Sequence, residues 1–423
     1  MANIVEERHF NKADVSENNN KFWSIYLYDD GAVETHWGRV GYSGQRKVIG
    51  HGKGFYDQKV IEKGSHGYKA TQTIRGTSTE SGKTVTSGRL AQVATGQIQT
   101  DNNETRDLVS YLVSVNRHNI LSNTTIQYDE SRGTYSTPLG VVTAEAISCA
   151  RLLLDSISKY VIVNDYESPS FIDSVNEYLQ LIPQNIGMRK PNLKYLYPNI
   201  DAIQKQNSIL DSLESSVQMV VSSGNEPNEE PKLFEVSLSL VTDKSVIDRI
   251  TKLYVSTQQS MHSSSRLRPH KVFKVEIASM SNAFANYGAN LPNIWDGWHG
   301  TRSGNLLSIM QKGFIIPPSN APYCTGRMFG NGIYTSDQST KALNYSDGYW
   351  SGTRSSSCYM FLCDVAMGKY YVPNNYGENL PKSGHDSTFA KANKSGVMNN
   401  EWIVYRTDQI NPKYLIEFTD GGR

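Results

Sequence analysis

The 423 residues carry a net charge of +1, with 38% hydrophobic and 20% charged side chains and a mean hydropathy of −0.49. This is a soluble globular composition, long enough for about two to four domains with true cores. Its near neutrality excludes nucleic-acid binding by bulk charge, so any such surface has to be local.

Apolar runs fall far short of the ~18 residues a membrane helix needs, and no membrane partner is expected. The opening residues MANIVEERHF lack the basic, apolar, small succession of a secretory signal. Cys149, Cys324, Cys358 and Cys363 show no CxxC spacing, which reads as free thiols in a reducing compartment with no metal site. An intracellular protein is expected, nuclear in a eukaryote and otherwise cytoplasmic.

Residues 20–77 read as β-rich. KFWSIYLYDD and AVETHWGRV alternate large apolar with polar positions around a turn at Asp30-Gly31, and a third run follows at Gln45 to Ile49. GFYDQKVIEKGSHGYK then has the pattern of a short amphipathic helix. Between Lys21 and Arg75 there are nine Lys/Arg against five Asp/Glu. Trp37 and Arg39 flank a glycine on a strand, a pairing that suits either a surface cation–π contact or a nucleic-acid end. Residues 77–103 are rich in Ser, Thr, Gly, Asn and Gln and read as a mobile linker.

From 104 to 222 the pattern is helical. Leu108, Val109, Leu112 and Val113 share one face; Ile147, Ala150, Leu154, Ile157 and Val161 share another. Phe171, Ile172, Val175, Leu179 and Ile182 form a third, and Ile203, Leu210, Leu213, Val217 and Val220 a fourth. An all-α bundle is expected, entered after a break at Pro138-Leu139-Gly140 and lacking a capping box at Thr143. An acidic, Pro-bearing hinge spans 222–231.

Beyond Lys232 short strands alternate with few helices: LFEVSLSLV, a helical TDKSVIDRITKLYVST, HKVFKVEIASM, GIYTS, YMFLCDVAMG, EWIVYR and KYLIEF. An α+β domain on antiparallel sheets follows. No GxGxxG links a strand to a helix, so a Rossmann dehydrogenase is disfavoured. The stretch from Trp298 to Tyr345 is dense in residues with specific uses: a His–Gly pair, a Gly-Asn-Gly turn before a β-branched strand, and Tyr334 and Tyr345. It suggests a pocket for a nucleotide-containing ligand.

Four strings in this part, His299-Gly300-Thr301-Arg302, Met328 to Tyr334, Lys341 to Tyr345 and Asn400 to Tyr405, resemble in order and spacing the catalytic domain of poly(ADP-ribose) polymerases. Trp37-Gly38-Arg39 resembles the WGR domain of the DNA-dependent members, over roughly residues 20 to 77. Thr137 to Gly140 and Tyr178 to Pro191 resemble their helical regulatory domain. The resemblance implies domains at 1–80 (WGR), 81–103 (linker), 104–224 (helical) and 225–423 (catalytic).

It also implies a DNA-stimulated ADP-ribosyltransferase that consumes NAD+, modifies proteins including itself, and elongates poly(ADP-ribose). DNA ends or nicks would be its partners, with room for an accessory factor. A mono-ADP-ribosyltransferase and a DNA-end-binding scaffold with weakened catalysis are the alternatives. His299, Tyr334 and Glu401 would be catalytic. Gly300 would hold the nicotinamide carboxamide, His299 and Thr301 the ribose, and Tyr345 and Tyr334 opposite ring faces; Lys341 joins the NAD+ site. Trp37, Arg39, Arg46 and Lys47 would meet DNA, and Asp211 would reach from the bundle towards the cofactor site.

Three positions depart from the family pattern. Ala342 stands where a carboxamide-bonding serine is usual, which leaves Thr340 or a water to substitute. Ile315 replaces a basic residue after the glycine that opens the donor loop, and Arg327 stands where an aromatic is common at its far end.

Overall fold

The computed structural model describes residues 3–70, 94–123, 127–129, 134–137, 140–221, 234–316, 328–346 and 357–420. It divides into two compact units, one formed by residues 1–90 with 117–226 and the other by 91–116 with 227–423.

The first unit begins with a five-stranded sheet of order β4-β3-β2-β1-β5. The strands are β1 (Ile4–Asp14), β2 (Asn19–Tyr28), β3 (Ala32–Arg39), β4 (Gln45–His51) and β5 (Lys69–Ala70). The Asp30-Gly31 turn falls as expected, with Gly31 at φ 85°, a conformation open to glycine without a Cβ clash. Helix α1 (Lys53–Ser65) covers a core of Phe10, Trp23, Ile25, Leu27, Val33 and Tyr56. β1 pairs with β2 along its length and extends the sheet upstream of residues 20 to 77, where the resemblance lies.

The same unit holds helices α3 (Ala144–Val163), α4 (Pro169–Leu181) and α5 (Ile200–Val221). Their expected apolar faces are buried at Ile147, Ala150, Leu154, Ile157, Val161, Phe171, Val175, Leu179, Ile203, Leu210 and Leu213; the side chains of Val217 and Val220 lie outside the described residues. Thr143 caps α3 by accepting from Ala146 N at 3.0 Å, a cap that needs no capping-box partner. The expectation of an all-α segment fails before α3. A small sheet of β7 (Gln127–Asp129), β8 (Thr134–Thr137) and β9 (Gly140–Val141) precedes it. Local backbone pairing overrides helical patterning there.

The second unit contains a six-stranded sheet of order β12-β14-β18-β11-β10-β6 and a four-stranded sheet of order β13-β17-β16-β15. The first comprises β6 (Gln99–Thr100), β10 (Val236–Leu240), β11 (Leu267–Ile277), β12 (Ile294–Gly300), β14 (Ser357–Ala366) and β18 (Ile410–Asp420). The second comprises β13 (Ile333–Thr335), β15 (Tyr370–Tyr371), β16 (Ser387–Ala390) and β17 (Glu401–Val404). Both sheets are antiparallel except where β6 meets β10 and β15 meets β16. Helices α6 (Lys244–Ser256), α7 (Ala278–Asn286), α8 (Ser303–Lys312) and α9 (Ser339–Leu343) complete the unit. Ile250, Tyr254, Trp298, Met360, Leu362, Ile416 and Phe418 share one core.

The stretch read as linker ends in ordered structure. Ala94 and Ile98 are buried, and β6 extends the large sheet as a parallel edge strand. Helix α2 (Asn103–Asn123) follows, and its Leu108, Val109, Leu112 and Val113 are buried. Glu104 pairs with Lys271 of β11 at 2.8 Å, so the start of the expected bundle packs with the catalytic strands. The rest of the linker and the hinge at 222–231 lie outside the described residues.

Candidate active site

Strand β12 ends in His299-Gly300. Two residues earlier, Trp298 N donates to Ser336 O at 2.9 Å and Ser336 N donates back to Trp298 O at 3.0 Å, tying the two sheets together. Alternation along a strand turns the N–H and C=O of Gly300 towards the same edge as those of Trp298. Beyond Ser336 the neighbouring chain turns into α9, so among the described residues no strand continues alongside that edge. A Cβ on residue 300 would stand 1.8 Å from the Ala342 carbonyl oxygen, which leaves glycine as the fitting residue. One donor and one acceptor side by side on a strand edge match a carboxamide, which carries the complementary pair.

The His299 ring sits between Phe314, at 4.5 Å centroid distance, and the Tyr334 carbonyl, 2.9 Å from Nδ1. Burial pulls its pKa down to about 4, the Tyr334 carbonyl opposes that shift, and the charge of Lys341 adds to it. The imidazole is therefore neutral at pH 7. With Nδ1–H donating to Tyr334 O, Nε2 is left as an acceptor for a hydroxyl.

Glu401 opens β17 and is buried. Its Oε1 pairs with Lys341 Nζ at 2.8 Å, both side chains being only 11% exposed. Its Oε2 is buried with no protein partner among the described residues. An unmet carboxylate oxygen at such a depth is costly unless a ligand hydroxyl completes it. Asn400 fixes the approach of β17. Its carbonyl accepts from Ser336 Oγ at 2.7 Å, and its amide bonds Asp337 Oδ2 and Ala392 N, each at 2.9 Å. Burial raises the Asp337 pKa. Ser336, Asp337 and Asn400 were not singled out from sequence; their signal was only adjacency to Tyr334 and Glu401.

Two family models match the chain: the poly(ADP-ribose) polymerase catalytic domain over residues 245–420 and the WGR domain over residues 6–75. The chain thus carries a poly(ADP-ribose) polymerase catalytic domain and a WGR domain. It is similar to "Poly [ADP-ribose] polymerase 1" of Gallus gallus, 29% identical over 66% of this chain and 30% of that protein. It is also similar to "Poly [ADP-ribose] polymerase 2" of Homo sapiens, 23% identical over 98% and 79% of the two chains. "Poly [ADP-ribose] polymerase 2-A" of Oryza sativa subsp. japonica is 24% identical over 97% and 69%. Against the polymerase 1 relatives from Gallus gallus and Danio rerio, the chain spans about 30% of their length.

Lys341 lies within α9 and Tyr345 just beyond its end, with the Lys341 ammonium 5.6 Å from the Tyr345 ring centroid. Tyr334 is held by its own loop: its hydroxyl donates to Gly330 O at 2.8 Å and accepts from Phe329 N at 3.1 Å. Part of its ring packs on the cluster of Phe329, Ala390 and Ile403. Thr301 accepts from Asn305 Nδ2 at 3.2 Å through its hydroxyl oxygen, which leaves its proton to donate. Thr340 does not replace the serine lost at Ala342. Its fully buried hydroxyl accepts from Gln259 N at 2.9 Å and meets His262 Nδ1 at 3.0 Å, on the far side of α9. Arg327 lies outside the described residues, and Ile315 is exposed.

In the WGR part, Trp37 is half-buried against the core of that sheet. Arg39, expected at DNA, has other partners. Its Nε donates to Gly187 O at 2.6 Å, and its two terminal nitrogens donate to Asn18 O at 3.0 Å and Asn18 Oδ1 at 2.8 Å. One guanidinium donor thus reaches the loop after α4 while two hold Asn18 in the turn between β1 and β2, a bridge made possible by the planar fork. Arg46 and Lys47 are exposed on β4, with Arg46 3.7 Å from Glu34. Asp211 on α5 accepts from Arg151 of α3 at 2.6 Å, and Glu214 shares that guanidinium at 3.0 Å.

Proposed function

We propose that this chain transfers ADP-ribose from NAD+ to proteins, itself included, and elongates the product into poly(ADP-ribose). DNA ends or nicks raise its rate. The carrying observation is Glu401: a buried carboxylate with one oxygen on Lys341 and the other without a protein partner among the described residues.

The chemistry needs what these residues offer. The bond from nicotinamide N1 to ribose C1′ breaks, positive character develops at C1′, and an acceptor oxygen bonds there as its proton leaves, as in glycoside cleavage. The Gly300 edge holds the carboxamide of the departing ring. Neutral His299 accepts from one ribose hydroxyl through Nε2, and Thr301 donates to another. Glu401 Oε2 accepts from the nicotinamide-ribose 2′-OH, and its negative charge opposes the charge growing at C1′. In elongation the acceptor is a hydroxyl of a previous ADP-ribose, and the same carboxylate orients it. Tyr345 and Tyr334 flank the ring.

The helices after residue 117 restrain cofactor access in the resting chain, and DNA on the WGR sheet favours the open arrangement, a population shift rather than a new site. Arg39 supports that coupling, because it links the WGR motif to the loop at Gly187.

Incubation with labelled NAD+, with and without short nicked duplexes, tests the proposal. DNA-dependent ladders are expected. No label in either arm would sink the transferase reading, and a single modified band would favour mono-ADP-ribosylation. An unchanged rate with DNA would remove the stimulation.

A further inference from the structure

Resting on the NAD+ reading above, we infer that Ser346 is a positioning residue for the nicotinamide carboxamide, acting through the peptide that joins Gly300 to Thr301. Its hydroxyl is buried, 7% exposed, and its Oγ accepts from Thr301 N at 3.1 Å. That N–H belongs to the same peptide group as the Gly300 carbonyl. In a trans peptide the two point in opposite directions within one rigid plane. Holding the N–H on the Ser346 side therefore aims the C=O at the opposite, open edge, where it meets the carboxamide N–H.

Gly300 has the backbone freedom that makes such a hold necessary. With no Cβ, its ψ is otherwise weakly restrained. The Ala342 carbonyl crowds its α-carbon on one side, and Ser346 Oγ lies 3.2 Å from the place where a Cβ would be. The turn that carries Ser346 is itself closed by Ser346 N donating to Leu343 O at 2.9 Å and Tyr345 N donating to Ala342 O at 3.1 Å. Ala342 lies in α9 and Ser346 in the turn that follows it. The hydroxyl that the family pattern places at 342 is absent here. The hydroxyl at 346 supports the carboxamide from behind instead, by steadying its acceptor, and the bond to Ser346 also polarises the shared peptide in the sense that strengthens its carbonyl.

The test is made on the full-length protein. Ser346→Ala removes the acceptor, Ser346→Cys keeps the volume with a much weaker acceptor, and Ser346→Thr retains the hydroxyl. Affinities for nicotinamide and for ADP-ribose are read by calorimetry, and KM and kcat are read with NAD+. The Ala and Cys variants are expected to bind nicotinamide roughly three- to tenfold more weakly and to raise KM for NAD+ by the same factor, the size of one lost hydrogen bond. ADP-ribose affinity, which has no carboxamide to report, stays within about twofold, as does kcat. The Thr variant stays near the parent.

Unchanged nicotinamide affinity in both Ala and Cys would overturn the inference. So would a parallel loss for ADP-ribose, which marks general loosening of the fold. Nicotinamide binding needs no turnover, so a parent chain that never consumes NAD+ would sink the transferase reading while this comparison still decides the role of Ser346.

Discussion

Glu401 and Lys341 are the closest-coupled charges of the site, and each constrains what can be done to the other. Glu401→Gln keeps an acceptor oxygen but leaves the largely buried Lys341 ammonium without its counter-charge. We expect NAD+ affinity to change by less than about threefold while ladders collapse to short products, since a neutral amide neither opposes charge at C1′ nor orients an acceptor hydroxyl. Gel analysis of products made with labelled NAD+ checks this; unchanged ladders would remove Glu401 from elongation.

His299 gives a pH signature. Between about pH 6.5 and 4 its unfolded imidazole takes a proton that the folded one, held near pKa 4, refuses. The unfolded state binds more protons in that window, so this contribution to stability is full above pH 6.5 and is lost as the pH falls towards 4. Thermal melts of the catalytic part should show a loss of about 1–2 kcal/mol from this group across the window, allowing for the ring's part-exposed edge. His299→Gln should flatten that slope. An identical slope in the variant would assign the acid sensitivity elsewhere.

Among the elements, the WGR sheet with its β1–β2 turn is joined by polar contacts to α4 and the loop after it. Asn20 Nδ2 donates to Gln184 O at 3.0 Å, Val15 N to Asn176 Oδ1 at 2.8 Å, Asn18 Nδ2 to Met188 O at 3.2 Å, and Arg39 Nε to Gly187 O at 2.6 Å. Arg39→Ala removes three of the bonds that Arg39 makes and should destabilise the first unit by about 1–3 kcal/mol in urea unfolding. It should also blunt the response to DNA while leaving DNA-independent turnover in place. Unaltered stimulation would show that the clasp is only structural.

The periodicities of α3 and α4 were legible from the chain because each buries one regular face, and β2 and β14 were legible as apolar runs buried on both faces. The short β6, β7, β8 and β9 were not. Two to four residues carry too little pattern, and such strands exist only because a partner backbone lies beside them. For the same reason Arg39 read as a cation–π partner or a DNA contact: nothing near it in the chain announces Gly187, 148 positions away.

At the scale of the whole molecule, the boundary of the regulatory part is decided by burial. A deletion of 104–222, drawn from helical pattern alone, would strip Leu108, Val109 and Leu112 from the unit they pack with. Removing 117–226 instead spares β6 and the start of α2. That variant is expected to fold and to consume NAD+ without DNA at a rate at or above that of the stimulated parent. If it folds and remains silent, autoinhibition by these helices fails. DNA affinity of the intact chain should fall steeply with salt. Neutralising the exposed Arg46 and Lys47 together should reduce the slope of log K against log[salt] by about two if both meet phosphates.

By itself the sequence determined the kind of protein this is. The His299, Tyr334 and Glu401 strings, the WGR motif and the sheet-forming runs are local patterns, and local patterns survive in one dimension. Only the tertiary structure decided which oxygen of Glu401 is left open, that Thr340 faces away from the cleft, that Arg39 is engaged, and that Ser346 stands behind the Gly300 carbonyl. Hydrogen-bond direction and burial depend on which distant backbones meet, and no spacing along the chain encodes that.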